Sequence, residues 1–518
     1  MTRSPWSIPA VLLLVACAGS PSAMPGTAAA AGMPAAGAAD PARGAATITA
    51  EDMIRRITYL ASDELGGRDT PSRGLETAAV WIADQFRSFG LSPAGDDGTF
   101  LQRWVYRRAS LDLDRTMLTA EVAGATFTGR VGVDYFVIPS ARASTASGGL
   151  RWLGEARPGV AAPGADAAES FVAYYVPGIQ LDGEWQGAVA AAIGAAVGSA
   201  PAGIVLILDP AFDDGMIGQL ATGVASQQGP TFVIGLRYGL AKEMFAGAGH
   251  DLDALRATTA VAPLDLSAVH LTTTVARVSG EDSVPNVVAL LLGSDPVLRD
   301  QYIVFSAHMD HVGVGEPDAQ GDSIFNGADD NASGTATVVE VAQAFASMPV
   351  RPRRSIIFLT VSGEEKGLFG SAHFAQNPPV PQQKLVANIN LDMVGRNAPD
   401  TVVAIGQDYS SLGATVQQIA ARHPELGLVV APDLWPEENL FFRSDHVNFA
   451  KNGVPAIFFT TGLHEQYHKQ SDEVALIDGD KVMRIGRLVF HLAWEIANAD
   501  AAPMWTEKGI AEVQPVRR

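Results

Sequence analysis

Three rhythms of apolar and polar residues follow one another along the chain. Thr49 is an N-cap candidate with Asp52 three residues on, and Met53, Ile54, Ile57 and Leu60 then keep helical spacing. Leu75, Ala79, Ile82 and Phe86 predict a second helix over 74–89, with Gly90 as its stop. From about residue 108 to 276 the rhythm shortens to β-like runs at 135–139, 171–176, 203–208 and 231–235, separated by Gly- and Pro-rich turns. The apolar stretch 188–200, interrupted by Gly194 and Gly198, reads as a core helix between them. After 284–288 the pattern becomes α/β, with strands predicted at 302–307, 355–361, 387–391, 401–405 and 455–460 and helices at 332–345 and 479–497. These strands are rich in Ile, Val and Phe without polar alternation, so they are buried on both faces and need helices above and below. The expected fold is α/β, a three-layer αβα sandwich with a mixed, mostly parallel central sheet, plus an inserted smaller α/β domain.

The first residues follow no such rhythm. Arg3 gives a weakly positive start, and 8–16 is apolar but too short to span a bilayer. Leu14-Val15-Ala16-Cys17 resembles the bacterial lipoprotein cleavage box. It predicts a signal peptide over 1–17 and acylation of Cys17, at about 0.8 kcal/mol of membrane affinity per buried CH₂. Residues 18–46 are almost all Ala, Gly, Pro and Ser and are expected to be a flexible linker. The protein is therefore expected to be exported, at the periplasmic face of the envelope or outside the cell, touching membrane only through that anchor.

Charge and cysteine content narrow the possible functions. Among 518 residues, 36 Lys and Arg face 56 Asp and Glu, a net charge of −20. That balance excludes nucleic acid as a main partner, because phosphate binding needs clustered basic residues. A single cysteine excludes a disulfide framework and any Cys-rich metal site.

Ligands of open α/β sheets gather beyond the carboxyl ends of the strands, and the chemically capable residues fall there. His308-Met309-Asp310-His311 follows one predicted strand and Asp329-Asp330-Asn331 opens a helix. Gly363-Glu364-Glu365 follows a second strand, Asp392 ends a third, and Tyr467-His468 lies beyond a fourth. Each element alone has an ordinary structural explanation, as a cap, a turn or a solvated pair. Gathered on one rim, so many carboxylates would be costly to bury without cations. Imidazole and carboxylate without thiolate suit zinc. Three carboxylates against two divalent ions leave a charge of about +1, which suits a bridging hydroxide. One member of the pair Glu364 and Glu365 can then bind metal while its neighbour moves protons.

The blocks His308-x-Asp310, Gly327-Ala328-Asp329-Asp330-Asn331-Ala332-Ser333-Gly334, Gly363-Glu364-Glu365, Asn390-Leu391-Asp392-Met393 and Tyr467-His468 resemble the co-catalytic double-zinc aminopeptidase family, which includes aminopeptidase Y and the glutamate carboxypeptidases. Leu60 to Arg68 resembles that family's opening segment. The resemblance implies two Zn²⁺ per chain, one on His308 and Asp392, the other on Glu365 and His468, with Asp329 bridging. It implies Glu364 as general base, Asp310 orienting His308, Tyr467 donating to the developing oxyanion, and a cis peptide at Asp329-Asp330. Arg443 of Arg443-Ser444-Asp445-His446 becomes a candidate contact to bound peptide. His311, His373, His446 and His464 are assigned structural roles, with His464 the one expected nearest the pocket, and Phe441 and Phe442 are assigned to packing. On this basis 48–107 and 276–500 form the peptidase domain, 108–275 an insert resembling a protease-associated domain, and 501–518 a tail. The expected activity is removal of N-terminal residues from peptides through a metal-bridging hydroxide. The alternatives are a carboxypeptidase or dipeptidase on the same two-metal site, a glutaminyl cyclase or a non-catalytic binding protein.

Overall fold

The structure, a computed structural model, describes residues 40–513 apart from 161, 165–166, 179–182, 213, 225–227 and 258–262. The expected signal peptide and most of the expected linker lie outside the described residues. The chain divides into two units, one of them Arg107–Glu281, the other assembled from the segments before and after it.

The larger unit is built on one nine-stranded mixed sheet. Its strands, numbered within this unit, are β1 (Ser92–Pro93), β2 (Leu101–Leu111), β3 (Arg277–Leu291), β4 (Tyr302–His308), β5 (Ser355–Val361), β6 (Leu385–Leu391), β7 (Thr401–Ile405), β8 (Val429–Ala431) and β9 (Ala456–Thr460). Their spatial order is β1-β3-β5-β4-β6-β9-β7-β8, with β2 paired to β3. The central four, β5, β4, β6 and β9, are parallel, whereas β3 and β7 join them antiparallel. All four central strands therefore end at one edge, where the ligand-type residues begin.

Helices cover both faces. α1 (Pro41–Thr47), α2 (Ala50–Leu60), α3 (Arg73–Ser88), α4 (Gly334–Ser347), α6 (Ser411–Arg422) and α8 (Gly479–Asn498) share one core with Phe305, Phe358, Ile389 and Phe459. α5 (Phe369–Gln376) and α7 (His446–Lys451) cover the opposite face, with Phe374 and Phe449 packed on Val304, Ile357 and Leu359. The alternation of these side chains along fully buried strands explains why both faces read as apolar. The result is the three-layer sandwich expected from the pattern.

The expected linker differs from the structure at its end. Residues 41–47 are helical, with Asp40 accepting from the Ala42 amide at 3.0 Å. Gly44 lies so close to Phe490 and Met348 that a Cβ would sit 2.4 and 2.7 Å from them. Small residues here permit close packing on α8, and their low hydrophobicity hid that packing from a pattern-based reading.

The smaller unit holds an eight-stranded sheet ordered 125–129, 117–122, 264–274, 145–155, 170–175, 203–207, 232–236 and 135–138. Trp152, Phe171 and Phe245 fill one side of it, and Val172, Tyr174 and Ile204 pack against the helix Gly183–Val197 on the other. Its long strands at 145–155 and 264–274 carry Gly, Ser and Thr, so their alternation is weak in the sequence.

Candidate metal centre

The carboxyl ends of the parallel strands deliver the site. His308 is the last residue of β4, and Asp392 follows the last residue of β6. Asp330 lies in the turn Ala328–Ser333 that enters α4, Glu365 follows β5, and His468 comes from the loop after β9. The turn into α4 depends on Gly334, where a Cβ would meet Asn331 Oδ1 at 2.3 Å and the Leu391 carbonyl at 2.4 Å.

Two groups of ligand atoms form around Asp330. Its Oδ1 is 3.3 Å from His308 Nε2, which is also 3.2 Å from Asp392 Oδ1. Its Oδ2 is 3.1 Å from His468 Nε2, which is 3.0 Å from Glu365 Oε2. Donors about 2.0 Å from a tetrahedral zinc are separated by about 3.3 Å, so these spacings fit such ions. Among the described residues, His468 Nε2 is buried with no hydrogen-bond partner despite its two carboxylate neighbours, so its lone pair is available to a cation. Asp330 and Asp392 are buried and Glu365 nearly so, which makes neutralisation by cations the economical arrangement.

The shared carboxylate is Asp330, one residue later than expected. Asp329 turns away: its Oδ1 accepts from the Gly395 amide at 2.6 Å and its Oδ2 is 3.3 Å from His464 Nε2. The cis peptide correspondingly joins Asp330 to Asn331, not Asp329 to Asp330. Asp472 holds the pair in place, accepting from the Asp329 amide at 3.0 Å and from the Asp330 amide at 3.0 Å. His464, expected nearest the pocket, is therefore occupied with Asp329.

Asp310 works through its main chain as well as its carboxylate. Its carbonyl is 3.2 Å from His308 Nδ1, while its carboxylate is 3.9 Å away. The carboxylate instead accepts from Thr70 Oγ1 at 2.9 Å and from the amides of Gly363 at 2.8 Å and Glu364 at 3.3 Å. Burial pushes its pKa up to about 6, against the opposing pull of His308. Asp310 thus shapes the turn that presents Glu364 and Glu365. Ser444 Oγ supports the other group, donating to Asp392 Oδ2 at 2.7 Å.

A cavity of about 50 Å³ opens over these groups. Its wall includes His308, Asp330, Glu364, Asp392, Arg443 and Tyr467, with Met393, Leu440, Phe458 and Leu463 supplying apolar surface. Burial, reinforced by Glu365, Asp392 and Asp445, drives the Glu364 carboxyl well above its ordinary range, against the opposing pull of His308. The Tyr467 ring stacks on His468 at 3.9 Å, and burial, together with Asp330, Glu365 and Glu364, holds its hydroxyl protonated. Arg443 reaches the wall while its Nη1 is 3.2 Å from Glu438 Oε2. His446 is packed between the rings of Phe441 and Phe458.

His311, assigned a structural role from sequence, stands in the Glu365 group, with Nδ1 2.8 Å from Glu365 Oε1. Its position directly after His308-x-Asp310 was the only signal in the sequence. Asp472 had none, and Ser444 was marked only as the neighbour of Arg443, since each acts from a distant loop.

Residues 286–493 match Peptidase family M28. A "Probable zinc metalloprotease" of Pyrenophora tritici-repentis is 28% identical over 262 residues, covering 43% of this chain and 58% of its own length. A "Probable leucine aminopeptidase" of Arthroderma otae is 27% identical over 224 residues, covering 42% of this chain and 58% of its own. The chain spans about half the length of the curated relatives it matches. The fold is similar to that of an aminopeptidase from Aneurinibacillus sp. strain AM-1, at a TM-score of 0.57 and 17% identity over 89% of this chain and 97% of the other. A zinc aminopeptidase from Bacillus subtilis follows at a TM-score of 0.50 and 18% identity, over 88% and 96% of the two chains. The family match thus falls on the segment that carries His308, Asp330, Glu365, Asp392 and His468.

Proposed function

We propose that this protein is a zinc-dependent aminopeptidase that removes the first residue of peptides with a free amino terminus. The observation that carries the proposal is the division of one carboxylate, Asp330, between two groups of ligand atoms in the floor of a cavity. His308, Asp330 and Asp392 would hold one zinc ion, and Asp330, Glu365 and His468 the other. Bound there, such ions polarise a carbonyl and make water acidic enough to attack it near neutral pH.

The chain's own residues supply the rest. Glu364, in the cavity wall beside His308 and Asp392, takes the proton of the attacking water on its carboxylate and returns it to the leaving amine. Tyr467 keeps its proton and donates a hydrogen bond to the carbonyl oxygen as negative charge builds on it. Asp310 fixes the Gly363-Glu364 turn so that the base does not wander.

The charge pattern favours an amino-terminal over a carboxyl-terminal substrate. Asp330, Glu364 and Asp392 face the cavity, whereas Arg443, the basic residue in that wall, is paired with Glu438. With Asp330 and Asp392 neutralised by cations, Glu364 is left to attract a substrate ammonium, and Arg443, already paired, offers little to a substrate carboxylate. Met393, Leu440, Phe458 and Leu463 give the terminal side chain an apolar surface, at about 25 cal/mol per Å² buried.

The test is hydrolysis of leucyl p-nitroanilide and of its N-acetylated counterpart, with and without a zinc chelator. Chelator-sensitive cleavage confined to the free amine supports the proposal. Equal cleavage of the acetylated compound, or release of residues from the carboxyl end of a peptide, refutes it.

A further inference from the structure

Four side chains converge on the Glu365 side of the site, and the fourth, His311, has no place in the scheme above. Its ring is buried and seated on Gly327, where a Cβ would lie 2.5 Å from its Cδ2. Its backbone amide donates to the Arg68 carbonyl at 3.3 Å. Arg68 is itself buried and donates to the carbonyls of Met309 at 2.9 Å and Gly327 at 3.1 Å. The ring is therefore held from its backbone and from its face. Nδ1 lies 2.8 Å from Glu365 Oε1 and 3.7 Å from Asp330 Oδ2. Nε2 is buried and, among the described residues, has no hydrogen-bond partner.

Two protonation patterns compete. If Nδ1 were bare and bound the cation directly, the ring's hydrogen would sit on Nε2, a buried donor with no acceptor among the described residues, which is a costly arrangement. Metal-bound imidazoles ordinarily pass that second N–H to an acceptor. If Nδ1 carries the hydrogen, it donates to Glu365 Oε1 and leaves only a bare acceptor nitrogen unpaired, which is the cheaper state. The distances agree, since 2.8 Å is a hydrogen-bond length and 3.7 Å from Asp330 exceeds the separation of about 3.3 Å between donors sharing one zinc.

We propose that His311 is a positioning residue for Glu365. Its Nδ1–H holds Oε1, so that Oε2 faces His468 Nε2 and Asp330 Oδ2. The proposal rests on the reading of Asp330, Glu365 and His468 as one cation site.

Two variants of the full chain test it, with zinc affinity measured by competition against a chromophoric chelator and folding followed by thermal melting. His311→Leu keeps the bulk and removes the donor, and His311→Asn places an amide N–H near the position of Nδ1. The parent is expected to hold two zinc equivalents. In His311→Leu one of them weakens by about 10–100-fold while the other is unchanged. The unchanged equivalent shows that the protein remains folded. His311→Asn recovers most of the loss. Unaltered affinity for both equivalents in His311→Leu overturns the proposal. So does a His311→Asn protein that melts like the parent yet binds as weakly as His311→Leu, because the ring nitrogen itself would then be the ligand. A parent that holds fewer than two equivalents overturns the functional reading as well, which separates that failure from the other two.

Discussion

Replacing the two neighbouring aspartates one at a time separates a shared ligand from a scaffold. Asp330→Asn removes one negative charge from both groups of ligand atoms, because Oδ1 faces His308 and Oδ2 faces His468. A unit charge about 4 Å from another contributes about 4 kcal/mol at an effective dielectric near 20. A divalent ion doubles that figure, and the amide oxygen left behind returns part of it. A net loss of about 4 kcal/mol per ion is about three orders of magnitude in affinity for each of two equivalents. Asp329→Asn should do far less, since an amide oxygen still accepts from Gly395 and the amide nitrogen can face His464. The assay is zinc content after equilibration in a metal buffer, with leucyl anilide turnover measured on the same samples. Loss of both equivalents in Asp330→Asn and retention of both in Asp329→Asn is the expected result. Retention in Asp330→Asn with loss in Asp329→Asn would refute the assignment of the shared carboxylate.

Three further substitutions probe the base, a buried imidazole and the frame. Glu364→Gln should lower turnover by about 10²–10⁴ while both zinc equivalents remain bound, and unchanged turnover would remove Glu364 from the chemistry. His446 is fully buried and its pKa is held down to about 3, by burial outweighing a backbone hydrogen bond at Phe441. The unfolded chain, with an imidazole pKa of about 6.5, binds the proton that the folded one refuses, so stability is complete above that pH and declines on acidification towards pH 3. The loss is about 1.4 kcal/mol per pH unit, or about 2 kcal/mol by pH 5, and His446→Phe should flatten the urea-unfolding profile between pH 7 and 5 by that amount. An identical acid slope in the variant would contradict the assignment. Arg68 is buried and donates to the carbonyls of Leu60, Met309, Asn326 and Gly327. Arg68→Leu should therefore cost roughly 3–5 kcal/mol in urea unfolding, as when a buried polar network is broken, and a cost below about 1 kcal/mol would show that these carbonyls have other partners.

The central strands of the larger sheet were legible because they are buried on both faces. Runs such as Ile356-Ile357-Phe358-Leu359 cannot be mistaken for half-exposed strands, and a chemically active residue directly after such a run marks the rim. The strands at 117–122, 145–155 and 264–274 were not legible in the same way, since Gly148, Gly149 and a run of Thr at 272–274 blur their alternation. The helix at 41–47 was invisible for the opposite reason: Gly44 and Ala45 pack by being small.

Residue types in the candidate site could be read, but register and orientation could not. Asp329 and Asp330 have identical chemistry, and only the three-dimensional placement of Gly395, His464 and Asp472 decides which one faces the cavity. His311 was assigned only a structural role because its place in the site depends on a 2.8 Å contact with a residue 54 positions away. Asp310 shows the same limit, since spacing alone does not reveal that its carboxylate serves the amides of Gly363 and Glu364.

Anomalous diffraction at the zinc absorption edge, from crystals of the full chain grown with zinc, tests the central claim most directly. Two peaks are predicted, one among His308, Asp330 and Asp392 and the other among Asp330, Glu365 and His468, with Asp330 contributing an oxygen to each. A single peak, or a pair bridged by Asp329, would contradict it.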